Sequence, residues 1–283
     1  MKAGLARSQQ TGYETGHAHR MTFALTLAVA AFLTSLLTFF SGFGLGTLLL
    51  PVFALFVPVE IAVAATAVVH AANNLFKVGL LAKLARRDVV VRFGVPAVAA
   101  SFLGALLLAR ISGGGVLFEW KLGDRMMDVQ LIELVLGLLI LGFALFELAP
   151  RLRRIRAPDH WLPLGGALSG FFGGLSGHQG ALRAMFLTPL GLSTAEFAST
   201  QAVIAVFVDL VRIVVYGWSL GWLGGAVTRV DVPWMPIGVA VMAAFMGALL
   251  GRRLLPKVTI ERLHLLVGWL LVIVGLGLAT GLA

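Results

Sequence analysis

Residues 21–59 contain no Asp, Glu, Lys or Arg. As one straight helix, these 39 residues would be about 58 Å long, nearly twice the ~30 Å hydrocarbon core of a bilayer. The segment must therefore break. Gly42, Gly44 and Gly46 mark the place, with Pro51 and Pro58 beyond. The pattern predicts a spanning helix near 22–40, a non-helical stretch near 41–46 and a half-helix near 47–57. The next apolar segment runs from Val59 to about Ala82 and carries His70, Asn73, Asn74 and Lys77. A third span is predicted near 93–110 and a fourth near 130–149, joined by a polar connection.

The second half follows the same plan. His160 to Leu182 is again free of Asp, Glu, Lys and Arg, and Ser176-Gly177-His178-Gln179-Gly180 interrupts it. Ser41-Gly42 and Ser176-Gly177 lie 135 residues apart. So do Asn74 and Asp209, and Lys77 and Arg212. A short apolar piece ends near Pro189, and further spans are predicted near 195–219, 233–251 and 263–282. The expected fold is an all-α polytopic membrane protein, with about eight transmembrane helices in two four-helix repeats containing Gly-broken helices. Counting each half-helix as a crossing gives nine or ten. Even spans per half make the repeats parallel; a re-entrant piece would change the parity and invert them. Paired Gly-broken segments in matching positions of two halves point to a transporter's binding site.

Composition agrees. The chain is 59% hydrophobic and 12% charged, against about 25% charged in soluble domains. The expected divisions are a disordered N-terminal lead (1–20), a first transmembrane repeat (21–150), a basic linker (151–160) and a second repeat (161–283). The net charge of +9 sits mainly in short connections: residues 83–92, 151–156 and 252–262. That suits orientation by Lys/Arg bias and contact with lipid headgroups, not nucleic acid. On an eight-span count the N-terminus shares a face with most basic residues, but the 252–262 cluster falls on the other one. No cysteine is present, which excludes disulfides and thiolate metal sites.

Non-helical backbone survives at membrane depth only where protein or a polar cavity satisfies it. The two breaks are therefore candidate cavity walls. Half-helices starting there present free N–H groups and a positive dipole end to an anion. Ser41, Gly42 and Gly44 in the first break, and Ser176, Gly177, His178 and Gln179 in the second, are candidate substrate ligands, with Asn73 and Asn74 beside them. Arg183 is either an anion ligand or an interfacial anchor that snorkels. His178 either serves the anion or a proton, or is a neutral His bonded to a carbonyl. His70, Asn73, Asn74 and Lys77 fall on one helical face. Gln201, Asp209 and Arg212 have similar spacing, and Asp209 can pair with Arg212. Candidates for proton or ion coupling are His70, His178 and Asp209. Gly166-x-x-x-Gly170 and Gly170-x-x-x-Gly174 read as helix-packing motifs. Glu133, Glu147 and Glu196 read as interfacial. No catalytic motif, metal-ligand set or cofactor motif is found, so the chain is not read as an enzyme.

Several motifs resemble the sulfite exporter TauE/SafE family. In the first half they are Gly42-x-Gly44-x-Gly46, Pro51, Pro58-x-Glu60-x-Ala62 and Ala65-Thr66. In the second they are Gly173-Gly174-Leu175-Ser176-Gly177, Pro189 and Ala198-Ser199-Thr200. The resemblance implies a multi-pass inner-membrane permease of seven or eight spans that moves small sulfur-containing anions such as sulfite or organosulfonates. This sequence departs from the pattern at His178-Gln179, where a further glycine is common. The expected function is a secondary transporter of such an anion. The alternatives are a passive anion channel or an accessory membrane subunit of a sulfur pathway. Export of an anion is favoured by an inside-negative potential; uptake would need protons or sodium. Lipids are expected partners, and a homo-oligomer is compatible with this reading.

Overall fold

The computed structural model describes residues 21–39, 45–153, 155–221, 232–254 and 260–282. The described chain is helical apart from one β-hairpin. We label the helices α1 (Met21–Thr38), α2 (Leu45–Ala54), α3 (Val59–Leu81) and α4 (Arg87–Ile111). After the hairpin come α5 (Leu131–Leu148), α6 (Leu162–Ser176), α7 (Gly180–Leu187) and α8 (Thr194–Ser219). The last two are α9 (Trp234–Leu254) and α10 (Ile260–Ala279). Six of the described helices, α1, α3, α4, α5, α8 and α9, are long and apolar enough to cross a membrane. Outward-facing residues such as Leu33, Phe102, Leu138, Val214 and Ile273 are apolar, while Asn73, Lys77, Arg183, Asp209 and Arg212 are buried. That distribution fits a bundle whose solvent is lipid: charges turn inward because hydrocarbon cannot solvate them.

The path of the chain follows from a few contacts. Ser199 Oγ donates to Leu81 O, and the Arg86 amide donates to Thr200 Oγ1. Arg212 reaches back to Val63 O, so α3 and α8 run antiparallel. The Glu147–His264 pair and the approach of Gly137 to Ala279 make α5 and α10 antiparallel too. The α4 and α6 helices run side by side in the same direction: Gly166, Gly170 and Gly174 sit on the Phe93, Ala97 and Ser101 carbonyls. A Cβ at any of the three would overlap backbone. The small-residue stripe thus lets two helices approach closely where hydrophobic association gives little, since lipid is as apolar as leucine.

Neither half-helix crosses. The α2 helix turns back along α1, with Phe53 and Phe56 against Phe23. The α7 helix turns back along α6, with the Ala157 amide bonded to Met185 O and Phe186 against Gly165. These two helical hairpins enter from opposite ends of the bundle. The half-helices and the helices after them are in register: α2 begins at Leu45 and α7 at Gly180, and α3 at Val59 and α8 at Thr194, each 135 residues apart. A methyl at Gly104 would meet Phe171 O and Leu175 N; one at Gly247 would meet Phe32 O and Leu36 N. The α4–α6 contact and the α1–α9 contact are therefore built alike.

One end of the bundle holds the basic residues of 83–92 and Arg151, while Arg110, Lys121 and Arg125 lie at the other, in and beside the hairpin. Arg92 pairs with Asp159, which brings residues 83–92 beside the start of α6. Glu147, one turn before Arg151, pairs with His264 near the start of α10 at 2.5 Å. Arg252 and Arg253, in the last turn of α9, therefore lie shortly before a helix that begins at the same end as residues 83–92 and Arg151. The sequence reading placed the 252–262 cluster opposite, because it counted α6 and α7 together as a net crossing. Phe23 lies beside Val57 and Trp234 at the other end, so the chain enters α1 there, away from the basic clusters.

Three further expectations change. The polar connection forms a hairpin, β1 (Val116–Leu122) and β2 (Arg125–Gln130), around the two-residue turn Gly123-Asp124. Trp120 Nε1 donates to Thr280 O at 2.7 Å, fastening the hairpin over the end of α10. The third span begins at Arg87 rather than near 93, because a π-helical segment, Val90–Gly94, precedes Pro96. Proline has no N–H and crowds the carbonyl four residues earlier; a wider turn accommodates both. Glu147 is not interfacial: it is 3% exposed and paired with His264. Glu133 and Glu196 do lie at helix starts, in capping boxes with Gln130 and Ser193.

The α4–α6 contact yields a test. Gly170→Val places a branched side chain on the Ala97 backbone and should lower stability by about 1–3 kcal/mol or more. Gly79→Ala, at a position with open space around the added methyl, should leave the melting temperature within about 2 °C of wild type, given the size of surface substitutions. Thermal melting of the purified protein measures both. Equal melting of Gly170→Val and wild type would refute the close approach.

Candidate functional site

The α6 helix ends because Gly177 adopts φ +83°, a left-handed conformation in which glycine carries no side-chain penalty. The Arg212 guanidinium lies against it: a Cβ at Gly177 would be 2.9 Å from Arg212 Nη2. Two independent constraints thus hold this position to glycine. Gln179 caps the start of α7, and its carbonyl accepts from the Arg183 amide at 3.0 Å and from Ser169 Oγ at 3.1 Å. The break is consequently tied to the helix before it and the helix after it. Ser176 Oγ donates to Phe172 O at 3.1 Å, within its own helix. His178 Nδ1 lies 3.2 Å from both Ser176 O and Ser176 Oγ, and its ring stacks on Phe143 of α5 at 5.5 Å.

Arg183 does not snorkel. It sits in the first turn of α7 and is 1% exposed. Its Nη1 donates to Gln201 O at 3.1 Å and its Nη2 donates to Gln179 Oε1. No carboxylate lies within salt-bridge distance of it among the described residues. A permanently charged guanidinium is thus held in the bundle interior by neutral acceptors alone.

Asp209 is the centre of a second group. Its Oδ2 accepts from His70 Nδ1 at 2.6 Å and its Oδ1 accepts from Arg212 Nη1 at 2.9 Å. Asn74 Nδ2 donates to His70 O at 2.9 Å, one turn back along α3. Arg212 also lies over the Tyr216 ring, and Tyr216 donates its hydroxyl proton to Gly174 O. One carboxylate therefore joins α3 to α8, and the residues around it reach the end of α6. On the α1 side of α3, Ser35 Oγ donates to Asn73 Oδ1 at 3.1 Å, and the buried Lys77 ammonium lies over the Phe39 ring.

The first turn of α2 meets the second break. A methyl at Gly46 would lie 3.6 Å from the His70 ring and 3.7 Å from Gly177 O. The first break's Ser41, Gly42 and Gly44 lie outside the described residues. Of the other residues singled out in the sequence, Gly177, Gly46, His70, Asn74, Asp209 and Arg212 form one connected group. His178, Gln179 and Arg183 flank it through the break itself. Asn73 faces α1. Gln201 lies closer to the chemistry than its place in the polar stripe suggested, because its carbonyl holds Arg183. The Glu147–His264 pair had no sequence signal, since two lone ionisable residues 117 positions apart carry no spacing.

Buried polar atoms without a partner among the described residues cluster here: His178 Nε2, Gln179 Nε2, Arg183 Nε, Gln201 Nε2 and Oε1, and Arg212 Nε. Most are donors. Buried donors without partners cost free energy, and few are found in native structures. No group of three or more His, Asp or Glu suited to a metal occurs among the described residues. The arrangement offers cations and hydrogen-bond donors, which is the chemistry of an anion site.

A multi-pass bundle with inward-facing charges at broken helices is the architecture of a membrane transporter. The family model of the sulfite exporter TauE/SafE matches residues 27–278, and the chain belongs to that family. No curated protein and no solved structure matches it.

The shared carboxylate is testable by a double-mutant cycle. Asp209→Asn leaves Arg212 buried without its anion, and Arg212→Gln leaves Asp209 in the same position. Each should cost about 3–5 kcal/mol, and the double variant clearly less than the sum. Thermal melting at neutral pH reads all three. Simple additivity would show that the pair is not coupled.

Proposed function

We propose that the chain is a secondary transporter that moves a small sulfur-containing anion, such as sulfite or an organosulfonate, across the inner membrane. The anion binds where the two helix breaks meet. The observation that carries this reading is Arg183: a buried, permanent cation without a salt-bridged carboxylate among the described residues, in the first turn of a half-helix. An anion there would gain a charge-assisted hydrogen bond and a favourable helix end. Gln179, His178 and the backbone at Gly177 line the second break, and Ser41, Gly42 and Gly44 are their counterparts in the first. Asn73 supplies an amide Nδ2 that lacks a partner among the described residues. Ser176 is the weakest of the proposed ligands, because its hydroxyl proton is already given to Phe172 O.

The proposed mechanism is alternating access between two halves related as inverted repeats. The register of α2 with α7 and of α3 with α8 supports it, as do the antiparallel α3–α8 and α5–α10 pairs and the matched Gly104 and Gly247 contacts. Halves of opposite orientation can exchange conformations, which opens the site to each side in turn. The two helical hairpins entering from opposite ends would carry the breaks. His70 and Asp209 are the proposed coupling pair. Their hydrogen bond joins α3 to α8, so protonation of the carboxylate would loosen the contact between the halves. His178 is a weaker coupling candidate, since Phe143 covers its ring.

Counterflow of labelled sulfite in proteoliposomes tests the site. Arg183→Gln should weaken anion affinity about tenfold to a hundredfold, the worth of a hydrogen bond to a charged group. Arg183→Lys should retain more of it. An imposed pH gradient should drive uptake in wild type and not in His70→Gln if the coupling ion is a proton. Wild-type half-saturation in a folded Arg183→Gln protein would remove Arg183 from the site.

The basic end of the bundle is proposed to face the cytoplasm, following the Lys/Arg bias. The chain has no cysteine, so single cysteines report cleanly. In intact cells, Asp124→Cys in the hairpin turn should react with a membrane-impermeant maleimide, and Arg151→Cys should react only after permeabilisation. The reverse pattern would invert the orientation.

A further inference from the structure

The groups around Arg183 differ in what they ask of a ligand. Arg183 Nε and Gln179 Nε2 are donors, and the oxygens of any oxyanion can satisfy them. Gln201 is different. Both atoms of its side-chain amide are buried and unpartnered among the described residues, while its backbone carbonyl is bonded to Arg183. An amide presents one donor group and one acceptor whichever way it is turned. An anion without hydrogen satisfies the donor and leaves the acceptor bare. An anion that also carries an N–H or O–H satisfies both.

We infer that Gln201 determines specificity by accepting a hydrogen bond from the bound anion, so that the preferred ligands are tetrahedral monoanions bearing an N–H or O–H. This rests on Arg183 being the anion-binding group. The charge fits one negative unit. Asp209 is hydrogen-bonded to His70 and Arg212 and serves two guanidiniums, with Arg183 beyond salt-bridge distance of any described carboxylate. That leaves the pair of arginines one negative charge short, and Lys77 lies on the α1 side of α3 over Phe39. Thr66, 135 positions before Gln201, stands at the matching place on α3, and its hydroxyl is likewise buried and unpartnered. A hydroxyl, too, is both donor and acceptor. The corresponding turns of α3 and α8 thus each bury a group able to accept a hydrogen bond, one of them on the residue whose carbonyl holds Arg183. A site with a bare acceptor rejects a ligand that cannot donate to it more strongly than one of slightly wrong size.

Sulfamate and methanesulfonate separate the two demands. Both are tetrahedral monoanions of similar size across the neutral range; sulfamate has N–H donors where methanesulfonate has a methyl group. Calorimetric titration of the purified full chain should show sulfamate binding about tenfold tighter or more, the worth of one buried acceptor satisfied. Gln201→Leu should bring the ratio to within about twofold while methanesulfonate still binds, and Gln201→Asn should give an intermediate ratio. Equal affinities in wild type would overturn the inference while leaving the anion site intact, and this comparison needs no variant. An unchanged ratio in a Gln201→Leu protein that melts like wild type would overturn it as well. Failure of wild type to bind either anion, together with no sulfite counterflow, would overturn the anion site itself.

Discussion

Everything in this bundle is arranged around one constraint: charge and bare backbone cannot be left in hydrocarbon. The chain breaks a helix at Gly177 and buries several cations, and most of that cost is offset locally. At Gly177–Gln179 the exposed backbone is taken up by Ser169 and by the start of α7. Asp209 is the one carboxylate bonded to both His70 and Arg212, and it neutralises a guanidinium that would otherwise be stranded. The same contact fixes the antiparallel crossing of α3 and α8. With that crossing in place, the start of α2 is brought to the level of the second break, and Gly46 comes against Gly177.

The glycines serve two ends that the sequence does not distinguish by composition. Along α6 and at Gly104 and Gly247 they remove side chains so that backbones can touch. At Gly177 the residue answers a conformational need and makes room for Arg212. The packing glycines fall at intervals of four within continuous helix. The conformational one lies at a helix end, next to polar residues that have few partners. The two regions differ accordingly: along the α4–α6 seam backbone lies directly on backbone, while around Arg183 buried polar atoms lack partners among the described residues.

Much of this was legible beforehand. The glycine-rich interruption at Ser176–Gly180 predicted the break between α6 and α7, and the 135-residue correspondence matches the starts of α2 with α7 and of α3 with α8. Polar stripes on α3 and α8 faced inward as their spacing required. The failures have physical causes. Hydropathy registers whether a segment is apolar, not whether it crosses, so the half-helices were counted into crossings and one basic cluster was assigned to the wrong end. The hairpin at Val116–Gln130 was missed because its alternation is short and lies between two much stronger helical signals. Pairs such as Glu147 with His264 carry no spacing because the two residues lie on different helices.

The sequence by itself determined the class of solvent, the position of the break between α6 and α7 and the chemical character of the inward faces. Each of these depends on residues near one another in the chain and on the thickness of a bilayer. Tertiary structure decided the rest. The reversal of α2 and α7 depends on packing against α1 and α6. The meeting of α2 with the second break depends on how α3 crosses α8. The fate of Arg183, buried cation or surface anchor, turned on whether Gln179 and Gln201 would be there to receive it. Local sequence fixes what a side chain can do, whereas only the assembled bundle fixes which partners come within hydrogen-bond reach.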